Sequence, residues 1–377
     1  MRQICPWDGP QPSGVLQLLT WLVALQRLGL GSMGSTRFCG MRGQLYLDSL
    51  PLAEKLYREQ PEVAETIYSQ PLLDYLRDGV VIFPGVIPLD LLEQMDQDLE
   101  RLADLKSLDP IMGMIGVDGP RNYYEARHLH NLDVKDFRLE PPGLKLLDLQ
   151  RFFESARGLA FSPAILSFME ELFGSPAALI QSLTFWKSSE QSVHQDFSYV
   201  NHHRSLAQLA AAWIPLEDIQ AEAGPLVYYK GSHHPDVLGF YDWGKGEIRA
   251  GRDHDEAVFN GYTRHLETAI ADHGLEPSIF LPKRGDLLIW HGALIHGGTP
   301  MQNPALTRRS LVCHYTSMAS HRGAQRFRVG QGYSFDTPPV LPYQPSPLRR
   351  AAQRLTQRLI GRLQGSAPKS GLPSLPS

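Results

Sequence analysis

The 377-residue sequence has little cysteine, no histidine before His128 and no acidic residue after Asp336. Each scarcity excludes something. Cys5, Cys39 and Cys313 are too few and too scattered for a disulfide framework or a zinc-binding spacing. They suit a reducing compartment, so the chain is expected to be cytoplasmic. Net charge is also small, at −4, which gives no whole-chain signal for nucleic acid. No long uninterrupted apolar run occurs. Val15–Leu30 comes nearest, but Gln17, Gln26 and Arg27 break it, and it is too short for a confident membrane span. It also lacks the charge and the small-residue cleavage pattern of a signal peptide. Residues 1–45 are therefore expected to be a leader of uncertain status: an amphipathic helix, a surface anchor or, the reading favoured here, a segment preceding a true start at Met33 or Met41. The histidines, all at or beyond His128, point any imidazole chemistry toward the later part of the chain.

What is present is glycine (33) and proline (29) in quantity, and 42% apolar residues, enough for a sizeable core in a turn-rich β architecture. The length allows one large domain or two smaller ones. Residues 46–105 read as helical with a break: a helix ending at Gly79, a short β run Val80–Phe83, a turn at Pro84-Gly85, and a helix from Pro88 with Leu91, Met95, Leu99 and Leu102 on one face. Residues 106–150 read as loop, with the polar and aromatic stretch Arg121–His130 as a candidate pocket lining. Residues 148–175 read as one helix ending near Gly174. From Ala177 the pattern becomes β, with runs at Leu179–Lys187, Leu206–Leu216, Gly224–His233, Ser278–Leu281, Asp286–Trp290 and Arg309–Thr316. Residues 234–278 look like a long insertion serving as a lid or binding loop. In the tail, Leu348, Ala352, Leu355, Leu359 and Leu363 fall at helical spacing among arginines. Such a basic amphipathic helix, over 345–364, can make a weak contact with an anionic membrane surface or dock on the protein's own acidic surface, the latter being favoured. Residues 365–377 carry the composition of a disordered segment.

The chemistry centres on Ser192-Val-His-Gln-Asp-Phe197. His194 and Asp196 are two positions apart, and in an extended strand such side chains share a face and can reach one point. An imidazole and a carboxylate converging there can hold a divalent metal, and a second histidine would complete the two-His, one-carboxylate set of non-haem iron oxygenases. His291 and His296, in Arg284-Gly-Asp-Leu-Leu-Ile-Trp-His-Gly-Ala-Leu-Ile-His-Gly, are both candidates for it. Arg308 follows on a β pattern, and a guanidinium fixed in a pocket binds a carboxylate as a bidentate fork.

The ordered series His-Gln-Asp, Trp-x-Pro-Leu-x-Asp, Gly-Ser-His, Arg-Gly-Asp, Leu-Ile-His-Gly and Arg-Arg resembles the phytanoyl-CoA dioxygenase family over about residues 72–320. The resemblance implies a double-stranded β-helix: a jelly-roll, cupin-like, all-β core with flanking helices and N-terminal helical segments. The oxygenase domain would span 46–336, with 337–377 as the basic helix and tail. It implies Fe(2+) held by His194, Asp196 and His296, with His296 selected over His291 because the family's ligand precedes the glycine. It implies 2-oxoglutarate gripped by Arg308, with Trp213 and, more weakly, Leu183 beside the co-substrate, and Gln195 bracing the site. O2 would be the oxidant, and a small-molecule or lipid-like substrate would be hydroxylated with release of succinate and CO2. Because Asp196 keeps the carboxylate that a related halogenase class lacks, hydroxylation is the expected outcome. By the same reading Arg309 faces the other way as a structural residue, and His314 is an ordinary strand residue. His202 and His203 lie at a surface or pocket rim, and His233 and His234 make structural hydrogen bonds. Two other readings stay open: a non-catalytic jelly-roll ligand-binding protein, and a cupin-type metalloenzyme that does not use 2-oxoglutarate.

Overall fold

Alternation along the strands decides this architecture. Ala211, Trp213, Leu288, Trp290 and Val312 belong to one buried core, whereas their strand neighbours Ala210, Ala212, Ile214, Leu287, Ile289, Leu311 and Cys313 belong to another. One sheet therefore separates two cores, and its strands are apolar on both faces.

The computed structural model describes residue 47, residues 49–104, 112–116, 124–128, 143–198, 200, 207–238, 256–320, 326–329 and 332–335, all within one compact unit. The leader 1–45, the pocket-rim histidines His202 and His203, and the tail 337–377 with its basic helix lie outside the described residues. In chain order the helices are α1 Leu52–Glu59, α2 Pro61–Ile67, α3 Gln70–Asp78, α4 Leu89–Asp104, α5 Glu154–Ala160, α6 Pro163–Phe173, α7 Pro235–Leu238 and α8 Glu256–Asp272. The strands are β1 Val80–Phe83, β2 Met112–Gly116, β3 Tyr124–His128, β4 Lys145–Leu147, β5 Ala177–Phe185, β6 Ala210–Pro215, β7 Leu226–Tyr229, β8 Pro277–Phe280, β9 Leu287–His291, β10 His296–Gly298, β11 Ser310–Ser317, β12 Arg326–Val329 and β13 Gly332–Phe335. No described helix is long and apolar enough to cross a membrane.

The larger sheet runs β1-β9-β6-β11-β5-β4-β2-β3, antiparallel throughout this path, and β13 joins β5 in parallel. A three-stranded antiparallel sheet, β10-β7-β8, faces it. Leu226, Tyr228 and Phe280 from the smaller sheet pack with Leu183, Phe185, Trp213, Leu288 and Trp290 from the larger, closing an interior between them. Residues of α3, α4, α5 and α6 cover the opposite face of the larger sheet. This is an all-β jelly-roll core with flanking helices.

Four sequence expectations change. The helical run 50–68 is two helices, because Pro61 cannot continue the first and instead opens the second. The single helix expected over 148–175 is likewise two, parted at Ser162 by Pro163 at the start of α6. Residues 106–150 are not all loop, since β2, β3 and β4 extend the larger sheet. The insertion 234–278 contains the 17-residue helix α8, which buries Tyr262 and Leu266 beside Ile295.

Gly79 shows why the N-terminal helices position the site. It caps α3 with φ of 76°, and its carbonyl accepts the His291 N–H at 2.9 Å. A Cβ there would lie 2.5 Å from His233 Nδ1 and 2.8 Å from Leu294 Cδ1. His233 is itself fixed, its Nε2 standing 3.2 Å from the Leu76 carbonyl, and His234 Nε2 stands 2.9 Å from that of Arg77. Both histidines make the structural contacts expected of them. Gly79→Ala must therefore both strain the backbone and push against fixed neighbours. It is expected to cost about 1–3 kcal/mol in urea unfolding of the metal-free chain. An unchanged unfolding midpoint would show that the crossing tolerates a methyl group.

Candidate metal centre

The two histidines meet through their backbones. His194 N–H donates to the His296 carbonyl at 2.9 Å, and His296 N–H returns a bond of 3.1 Å to the His194 carbonyl. This two-bond antiparallel pair places both rings on the same side, with centroids 4.4 Å apart. Asp196 arrives differently from the sequence expectation. His194 forms an isolated bridge rather than part of a strand, and Asp196 opens a short 3-10 turn through Ser198. The turn, not strand alternation, swings the carboxylate beneath the two rings.

Each ring is oriented by its own chain. His194 Nδ1 is 2.8 Å from the Ser192 carbonyl, and His296 Nδ1 is 3.0 Å from the Leu294 carbonyl. A carbonyl can only accept, so both Nδ1 atoms carry the proton and both Nε2 atoms present lone pairs. Those Nε2 atoms lie 3.7 and 3.5 Å from Asp196 Oδ1, beyond good hydrogen-bond distance. The spacing suits three donors around a shared cation better than three groups bonding one another. One donor atom from each residue falls within 4.8 Å of the others, and all three residues are buried. Burial, followed by the neighbouring His296, pushes the His194 pKa down to about 3, keeping the ring neutral and able to coordinate. Burial alone would raise the Asp196 pKa, but His296, His314 and His194 together hold the carboxyl well below its ordinary range. Two imidazoles whose Nδ1 atoms are turned to backbone carbonyls, with an ionised carboxylate between their Nε2 atoms, are a set suited to a divalent metal.

The loop between the ligands is tied down. Gln195 Nε2 donates to the Ala293 carbonyl at 2.7 Å, and its backbone N–H donates to the Tyr262 hydroxyl at 3.1 Å. Gln195 thus links the loop to α8 and to the segment before His296. His291, the other candidate ligand, points away. It lies on the helix-covered face, with Nε2 3.3 Å from Glu54 Oε2 on α1.

Arg308 and Arg309 part as alternation requires. Arg309 turns to the helical face, where it bonds Glu217 at 2.8 Å and Asp96 at 2.9 Å. Arg308 is turned inward and 3% exposed, and among the described residues it has no carboxylate partner. Its Nη1 donates to the Gly224 carbonyl at 3.4 Å, and its Nε has no hydrogen-bond partner. The guanidinium lies 5.6 Å from the Phe185 ring and 5.7 Å from that of Trp213. Burial lowers its pKa to about 10, which still leaves it charged at neutral pH. Leu183 lies in the same interior core as Trp213, paired with Val312 on β11.

Three residues of the site escaped the sequence reading. Lys145 on β4 is buried, donates to Gln191 Oε1 at 2.7 Å and sits 5.7 Å from the Phe185 ring that Arg308 also touches. Burial depresses its pKa to about 7, with Asp196 opposing and Arg308 adding to the shift. Trp290 Nε1 donates to Asp196 Oδ2 at 2.7 Å, and His314 Nε2 stands 3.2 Å from the same oxygen. Strand parity could have placed His314 on the face of Arg308. Nothing marked Lys145, because its segment read as loop.

The sequence matches the family model described as Phytanoyl-CoA dioxygenase (PhyH) over residues 75–310. No curated protein matches it. Among solved structures it is similar to the alpha-ketoglutarate-dependent epimerase SnoN from nogalamycin biosynthesis, at 18% identity over 71% of this chain and 96% of that one, with a TM-score of 0.45. It is similar to EctD from S. alaskensis, solved with 2-oxoglutarate and 5-hydroxyectoine, at 14% identity over 71% of this chain and 80% of that one, with a TM-score of 0.45. It is also similar to HygX from Streptomyces hygroscopicus, solved with nickel and 2-oxoglutarate, at 18% identity over 67% and 88% of the two chains, with a TM-score of 0.41. The family match covers more than half of the sequence, and it takes in His194, Asp196, His296 and Arg308, so this chain belongs to the phytanoyl-CoA dioxygenase family.

Proposed function

We propose that this chain is an Fe(2+)- and 2-oxoglutarate-dependent oxygenase that hydroxylates a small-molecule or lipid-like substrate. The observation that carries this reading is the buried meeting of His194 Nε2, His296 Nε2 and Asp196 Oδ1, with the Arg308 guanidinium, whose Nε has no hydrogen-bond partner, buried in the same interior. In this reading those three residues hold the iron. Bound there with 2-oxoglutarate and O2, the metal supplies an oxidant that inserts one oxygen atom into a substrate C–H bond, the other passing to succinate as CO2 leaves.

The protein's own groups do the rest. His194, Asp196 and His296 would hold the ion through one atom each, and its remaining positions would be left for co-substrate and O2. Arg308, desolvated between Phe185 and Trp213, offers a fork to the distal carboxylate of the oxo acid. Lys145 brings a second cation to the same wall. Phe185, Trp213, Leu183 and Val312 exclude water from this pocket, which strengthens the ion pairing and shields the oxidant from solvent. Iron, 2-oxoglutarate and the residue roles rest on family membership and this geometry together. A purely ligand-binding barrel has no use for a carboxylate held ionised beside two imidazoles.

Release of CO2 from 1-labelled 2-oxoglutarate by the iron-loaded protein tests the reading. Turnover is expected, and Asp196→Ala should abolish it; no release under saturating iron and O2 would remove the proposal. Arg308→Met should raise the KM for 2-oxoglutarate by about 10- to 100-fold, corresponding to loss of a charge-assisted hydrogen bond of roughly 1.5–3 kcal/mol. Lys145 adds a pH dependence. Its ammonium form prevails below about 7 in the free protein, so 2-oxoglutarate affinity should fall as pH rises through that value. Lys145→Met should flatten this slope, and an identical slope in the variant would assign it to another group.

A further inference from the structure

We propose that a row of side chains across four strands acts as a clamp on Asp196, reserving one carboxylate oxygen for the metal and withholding the other. This rests on the metal-centre reading above. Trp290 on β9 is paired in register with Ala211 on β6, Ala211 with His314 on β11, and His314 with Gln181 on β5. Trp290 and Ala211 belong to the interior core, and the His314 and Trp290 side chains both reach Asp196. Two large groups thus flank one small one. Ala211, fully buried, stands between Trp290 and His314 in the row.

The two oxygens of that carboxylate have separate surroundings. Oδ1 faces the Nε2 atoms of His194 and His296, at 3.7 and 3.5 Å. Oδ2 faces the row, at 2.7 Å from Trp290 Nε1 and 3.2 Å from His314 Nε2. An indole nitrogen can only donate. Gln181 Nε2 lies 3.4 Å from His314 Nδ1, and His314 Nε2, though 3.2 Å from Oδ2, makes no hydrogen bond in this geometry, so the ring walls that oxygen off by contact while the indole bonds it. The strand pairing shifts between His314 and Tyr315, an irregularity of the kind that re-aims a side chain beside a functional site. With the Trp290 indole donating to Oδ2 and the His314 ring set 3.2 Å from it, the carboxylate offers the ion Oδ1 alone. One-point attachment keeps the protein's share of the coordination sphere at three, whereas chelation through both oxygens would take a position that a co-substrate needs. Trp290, His314 and Ala211 are thus positioning residues, acting through Asp196.

Titration of the metal-free full chain with Co(II), followed by its visible ligand-field absorption, tests the clamp without any turnover. Wild-type protein is expected to bind and Asp196→Ala to lose binding. Trp290→Phe and His314→Leu should each weaken Co(II) binding by about 10- to 100-fold, as is usual when a partner of a metal ligand is removed. They should also change the absorption intensity as Oδ2 becomes free to coordinate. His314→Gln, which keeps a polar side chain beside Oδ2, should recover most of the wild-type spectrum, and Ala211→Val, which crowds the row, should behave like Trp290→Phe. Thermal melting in chelator identifies any variant that does not fold, and the remaining variants then decide. Wild-type affinity and spectrum in every folded Trp290, His314 and Ala211 variant, alongside loss in Asp196→Ala, would overturn the clamp and leave the metal centre standing. No Co(II) binding by the wild type would overturn both.

Discussion

Two backbone hydrogen bonds between His194 and His296 are the constraint on which the site depends. They join a loop to the first residue of β10, and they do so at the very residues whose rings face Asp196. Main-chain pairing fixes Cα positions far more tightly than side-chain packing does, so the separation of the imidazoles is set before either ring chooses a rotamer. The Nδ1 bonds to the Ser192 and Leu294 carbonyls then remove the remaining freedom by fixing the rotation and proton position of each ring. The centre is consequently organised by the polypeptide and does not require the ion to gather its ligands.

The larger sheet supports this from behind. Its helical face carries the structural polar groups: Arg309 with Glu217 and Asp96, and His291 against Glu54. Its inner face carries the chemistry: Arg308, Trp213, Trp290 and His314. Ionised groups deep in a protein are costly unless compensated. Asp196 is compensated by imidazoles and an indole, and Lys145 in part by Asp196 itself. Arg308 is the exception. A buried guanidinium with an unbonded Nε is an unfavourable arrangement, and under the proposed function an incoming carboxylate would relieve it, so that co-substrate binding would gain from a cost already incurred on folding.

Much of this was legible in the sequence, for reasons that differ by element. The helix-to-strand passage at Gly79 could be read because glycine's left-handed conformation leaves a local mark. His194, Asp196 and His296 could be picked out because metal ligands need particular atoms at particular spacings, and the ordered motifs resemble a known family. Arg308 and Arg309 had to face opposite ways by alternation, and the resemblance to the family's motif said which of them points inward. What stayed hidden depended on contacts between distant segments. Lys145 becomes part of the site only because β4 pairs with β5, and no local pattern in residues 106–150 announced a strand. Trp290 and His314 look like ordinary strand residues until register places them on either side of Ala211. The turn at Asp196 was also invisible, since both an extended strand and a 3-10 turn bring residues 194 and 196 to one point.

The adjacency of Arg308 and Arg309 has a consequence for how β11 can fail. Slippage of this strand by a single residue against β5 and β6 would exchange the two cations. It would thrust the Arg308 guanidinium toward Asp96 and Glu217, carry His314 out of the barrel, and drive the Cys313 thiol in toward Asp196. Misregistered molecules would thus be penalised on both sides of the sheet at once. Such a protein would retain nearly all of its hydrophobic burial and yet have lost the inward guanidinium and the Trp290–His314 surroundings of the Asp196 carboxylate.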